Sequence, residues 1–148
     1  MGIESVSYRF EPSECELVDL VEWLRLRGAT DGDRDGTYVL SGPDYWIDLL
    51  VRASGSRVAV VQLRVAVTNP VSVVGLLHEL ASAMLDRFGG RVTDAAGRRV
   101  LHDQDRFDVL MTEFSIGRER FTQNFGELTL PVSADQVFSQ LRAASEDT

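Results

Sequence analysis

The 148 residues, 44% of them apolar, suit one compact domain with its own core, and no apolar run approaches the ~20 residues of a membrane-crossing helix. A formal net charge of −8 and a pI of about 4.7 argue against direct nucleic-acid binding, which needs clustered positive charge. The single cysteine excludes an internal disulfide framework, and the fifteen basic side chains are all arginine, so no lysine amine is present for Schiff-base or general-base chemistry.

The chain opens with alternating residues and no basic stretch leading into an apolar run, so a cytoplasmic location is expected rather than a secretory signal. Ser5 to Phe10 alternates as a strand, with Val6, Tyr8 and Phe10 on one face. Ser13 and Glu16 form a capping-box pair, and Leu17, Leu20, Val21 and Leu24 make the apolar stripe of a first helix that Gly28 ends. Residues 29–36 read as a polar loop. Three closely linked strands follow at 37–41, 45–52 and 57–68, and their turn residues make them antiparallel neighbours. In the third, Ala59, Val61, Leu63, Val65 and Val67 share a face. Asn69 is placed to cap a second helix with Pro70 in its first turn. Val73, Leu77, Leu80, Met84 and Phe88 line that helix, and Gly89-Gly90 stops it. Residues 91–101 suggest a strand pair around 94–97. Phe107, Leu110, Met111 and Phe114 suggest a third helix, interrupted at Ser115-Ile116-Gly117, with 118–125 ambiguous. Ser133 and Gln136 repeat the capping-box signal before a C-terminal helix to about Ala144, and Ser145 to Thr148 are expected to fray.

The order β-α-β-β-β-α-β-β plus a helical tail predicts an α+β fold, a two-layer sandwich. Its antiparallel sheet has four to six strands with helices on one face. One domain spans 1–148, with a core over about 3–101 and a tail over about 104–144. The opposite sheet face carries Ser7, Arg9, Trp46, Asp48, Leu50, Gln62 and Arg64. Trp46 and Leu50 are too apolar to rest in water, so the tail or a partner should cover them.

No pattern of reactive groups stands out. Asp31-Gly32-Asp33-Arg34-Asp35-Gly36 starts like a calcium loop. The twelfth position is Gly42, where a bidentate Glu is needed, and a strand follows in place of a helix. His78-Glu79 starts like a zinc-protease helix, but Ser82 stands where the second His belongs. No metal or cofactor is therefore expected. Cys15, in the first turn of its helix, is flanked by Glu14 and Glu16, which oppose thiolate formation; a structural thiol is expected. The pairs Asp103/Asp105 and Asp44/Asp48 are frequent enough in so acidic a chain to arise by chance, and Gly89-Gly90 sits at the wrong end of a helix for an anion. Trp23, on the polar side of the first helix, fits either an interaction surface or cover for a sheet edge.

A leading strand ending Tyr8-Arg9-Phe10, a helix, a meander containing Val61-Gln62-Leu63-Arg64-Val65, a long helix and a short hairpin together form a pattern. It resembles small immunity proteins that bacteria carry beside polymorphic or contact-delivered toxins, over roughly the first two-thirds of the chain by element order. The resemblance implies a non-catalytic cytoplasmic protein that neutralises a toxin by direct binding, with no enzyme activity, no cofactor and no nucleic-acid or membrane contact of its own. A homodimer is compatible with it. An acidic surface suits a basic toxin, and Asp31, Asp33, Asp35, Asp44, Trp46 and Asp48 are the expected partner-binding residues. A chaperone or adaptor for a secreted effector, and a small-molecule-binding domain, are the alternatives.

Overall fold

The computed structural model describes residues 4–146. Six antiparallel strands form one sheet: β1 (Ser5–Glu11), β2 (Thr30–Asp31), β3 (Thr37–Gly42), β4 (Tyr45–Ser54), β5 (Arg57–Ala66) and β6 (Arg91–Thr93), in the order β2-β3-β4-β5-β1-β6. Four helices accompany it: α1 (Leu17–Leu26), α2 (Val73–Phe88), α3 (Asp103–Phe125) and α4 (Val137–Glu146). This is the expected α+β arrangement with a C-terminal helix.

The register pairs Tyr8 with Leu63 and Leu63 with Leu49, and all three are buried. The same face carries Phe10 and Val61. The stripes of α1 (Leu20, Leu24) and α2 (Val73, Leu77, Leu80, Met84, Phe88) join these residues in one apolar cluster. α3 lies on that face too, because the Tyr8 hydroxyl donates to the Arg106 carbonyl. Arg106 is itself buried, its guanidinium donating to Asp103 Oδ1 at 2.9 Å and Ser82 Oγ at 3.1 Å.

Several local expectations are corrected. Ser13 caps nothing. Residues 15–17 pair with the start of β5, Val58 N–H donating to the Cys15 carbonyl at 2.9 Å and Leu17 N–H to Ser56 at 2.7 Å, so α1 begins only at Leu17 and Cys15 precedes it. The loop at 29–36 contains the short edge strand β2. Ala59 is the extra residue of a β-bulge: Arg52 faces Val60 while Ala53 faces Val58. Val58 therefore turns inward and Ala59 is exposed. Asn69 does not cap α2, which begins at Val73; its buried amide accepts from the Trp46 N–H and donates to the Ala66 carbonyl, both at 2.9 Å. The strand pair at 91–101 reduces to β6 and one bridge, Thr93 to Val100.

α3 runs without a break through Ser115-Ile116-Gly117 and 118–125. Buried Phe114 and Phe121 hold it on either side, and that packing outweighs the ~1 kcal/mol that one helical glycine costs. The chain then passes the end of β5, where Leu130 and Thr68 exchange two hydrogen bonds. A 3-10 turn, Ala134–Gln136, follows on the other side of the sheet, capped by Ser133. α4 leaves that turn and sets Phe138 against Phe121 and Phe125. Ser145 and Glu146 are still helical; the expected fraying of Asp147 and Thr148 lies outside the described residues.

Candidate functional site

Strand alternation places Trp46, Asp48 and Leu50 of β4, with Gln62 and Arg64 of β5, on the face opposite the core. Asp48 pairs with Arg64, Leu50 with Gln62, and Val39 of β3 lies beside Asp48. Two structures rise from this face and leave a cavity of about 340 Å3 between them, lined by Trp46, Leu50, Val39, Arg34, Arg64 and Asp135 among others. One wall is the acidic loop 32–36. It is tied down internally: Gly32 N–H donates to the Thr37 carbonyl at 2.8 Å, the Thr37 hydroxyl to the Arg34 carbonyl at 2.5 Å, and Val51 N–H to Gly36 at 2.7 Å. Gly36 adopts φ +78°, a left-handed conformation that glycine tolerates at little cost. The other wall is the 3-10 turn of the tail.

Asp48 joins sheet and tail. Its Oδ1 accepts from the Trp46 indole N–H at 2.9 Å, and its Oδ2 accepts from Ser133 Oγ at 3.0 Å and the Ala134 N–H at 3.1 Å. The carboxylate thus orients the Trp46 ring and anchors the turn, and it has no ion-pair partner among the described residues. A second tie is ionic. Asp135 meets Arg64 at 2.9 Å and Arg34 at 3.5 Å, so one tail carboxylate bridges the sheet and the loop. Arg64 also reaches Glu4 at 3.3 Å and Ser5 Oγ at 2.9 Å.

Of the six residues expected at a partner surface, Asp31, Asp33, Trp46 and Asp48 line this cavity. Asp35 belongs to the same loop but lines a separate hollow within it, and Asp44 lies in the β3–β4 turn outside the cavity lining. Asp31 pairs with Arg25 at 3.0 Å, and Asp33 approaches Arg34 at 3.9 Å. The loop carboxylates thus turn to separate arginines, and no group of three or more His, Cys, Asp or Glu is gathered for a metal ion among the described residues. Counting ion-pair partners and Asp35, the carboxylates of Glu4, Asp31, Asp33, Asp35, Asp48 and Asp135 outnumber the guanidiniums of Arg25, Arg34 and Arg64, so the rim remains acidic. No local spacing in the sequence signals the ionic bridge through Asp135, because Arg64 and Asp135 are 71 residues apart.

The other candidate groups have structural surroundings. His78 stacks edge-on against Phe107 at 5.6 Å. Cys15 is buried, and burial, with Asp19 nearby, pushes its thiol pKa up, away from the reactive thiolate. Trp23 packs edge-on against Phe88 at 5.7 Å with the Arg27 guanidinium 4.1 Å above it, joining α1 to the end of α2 rather than covering a sheet edge. Comparison of the chain with protein-family models, curated proteins and solved structures gave no match in any of the three.

Proposed function

We propose that this chain is a non-catalytic binding protein of the cytoplasm, and that it acts as an immunity protein neutralising a cognate bacterial toxin. The observation that supports this best is the groove on the open sheet face. It combines a fixed aromatic wall, an apolar floor at Val39 and Leu50, and an acidic rim. Interfaces commonly centre on such an arrangement, a desolvated aromatic anchor ringed by polar groups. An acidic rim would also speed encounter with a basic protein such as a nuclease and shield its substrate cleft.

The test is co-expression with the protein encoded by the adjacent gene. Toxicity should fall and the two proteins should co-purify; unchanged toxicity and no co-purification reject the immunity role. A second reading, a small-molecule-binding domain, draws on the cavity volume of about 340 Å3, which lies at the low end of ligand pockets, roughly 300–1,000 Å3. A ligand retained through purification and visible by native mass spectrometry would favour it.

A further inference from the structure

The two arginines of the groove are held differently. Arg64 is only 21% exposed and makes close contacts with Asp135, Glu4 and Ser5, so it belongs to the scaffold. The Arg34 side chain is 63% exposed, and its carboxylate contacts are long, 3.9 Å to Asp33 and 3.5 Å to Asp135. At such distances and exposure an ion pair contributes little and is readily exchanged. Its guanidinium is nonetheless drawn between the loop and the tail, in the cavity that Trp46 also lines. The protein's own side chain thus displays the chemistry that the groove accepts.

We infer that the groove receives an arginine side chain from a protein partner, and that Arg34 holds this place until the partner arrives. The inference rests on the binding-protein reading and names the chemistry of its partner. Three features favour a guanidinium. Asp33 and Asp135 approach the position from opposite walls. Asp48 adds a charge that no cation balances within the described residues. Trp46, fixed through its indole N–H, lines the same cavity, and an indole attracts a planar guanidinium better than an ammonium. Removing Arg34 should therefore open the site rather than damage it.

The experiment titrates the full chain with acetyl-Gly-Arg-Gly-amide, followed by proton–nitrogen correlation spectra, with the norleucine analogue as the neutral control. The arginine peptide should move the Trp46 indole signal and the backbone signals of 33–37 and 133–136 saturably, while the Trp23 indole stays in place. The norleucine peptide should move neither. Arg34→Gln should bind the arginine peptide about two- to five-fold tighter, the scale of one exposed ion pair, and Asp33→Asn weaker by a similar factor. Absence of saturable shifts in the groove, equal shifts with norleucine, or unchanged or weaker binding by Arg34→Gln overturns the inference. Asp33→Asn, at an exposed position, keeps the test open should Arg34→Gln fold poorly; unchanged affinity there overturns it too. Capture of a toxin while the peptide leaves the groove unmoved rejects this inference alone. Peptide binding with no toxin captured rejects the immunity role alone.

Discussion

Trp46, Asp48 and Tyr8 show how differently single residues serve this molecule. Trp46 forms one wall of the groove, and Trp46→Ala is expected to weaken partner capture at least tenfold, about 1.4 kcal/mol, in calorimetric titration. Asp48, expected at the partner surface, spends both oxygens on Trp46, Ser133 and Ala134. Asp48→Ala should cost roughly 2 kcal/mol of stability and expose 127–133 to protease before the rest of the chain. Resistance of that segment equal to wild type would contradict the anchoring role. Tyr8 is a core residue, and burial raises its hydroxyl pKa well above the usual phenol value. A raised folded-state pKa gives stability that is complete below the unfolded value, about 10, and is lost as pH climbs beyond it. Chemical denaturation from pH 9 to 11.5 should show stability falling above about pH 10. Tyr8→Phe should flatten that decline at the cost of ~1 kcal/mol at neutral pH for the lost hydrogen bond.

At the scale of elements, apolar periodicity and the glycine helix stops are good guides, and N-capping signals are a mixed one. The stripes at Leu20/Leu24 and Val73–Phe88 are buried as their spacing requires. Of the three proposed N-caps, Ser133 caps its turn, whereas Ser13 and Asn69 do not because distant backbone took over the local groups: β5 captured residues 15–17, and the Trp46 N–H captured the Asn69 side chain. Glycines divide in the same way. Gly75 lies within α2 with open space where a side chain would project, so Gly75→Ala should raise stability by about 0.5–1 kcal/mol. Gly90 adopts φ +103°, and a Cβ there would collide with the Glu11 carbonyl oxygen and stand 2.7 Å from Pro12 Cα. Gly90→Ala should therefore destabilise by more than Gly75→Ala stabilises, measured as shifts in the thermal midpoint. The Gly89-Gly90 pair ends a helix, as its position suggested, and also lets the chain pass close to the end of β1.

For the whole molecule, a formal net charge of −8 bears on the proposed encounter with a basic partner more than on the fold. Asp31→Asn, Asp33→Asn and Asp35→Asn combined should slow association with a basic partner and reduce its salt dependence, measured by stopped-flow at two ionic strengths. An on-rate equal to wild type would remove the acidic loop from the interface. Asp44, in its turn outside the groove, serves as the control, and Asp44→Asn should leave the rate unchanged.

What the sequence by itself determined is the class of fold, the central strands, the faces of the two main helices and the outward placing of Trp46, Asp48 and Leu50. These follow from periods of 2 and 3.6 that are local properties of the chain. Only the tertiary structure decided that α3 packs on the helical face, that the tail turn reaches the opposite one, and that Asp135 bridges Arg34 and Arg64. Those contacts join residues far apart in the chain, and their formation depends on packing and charge complementarity that no short spacing encodes.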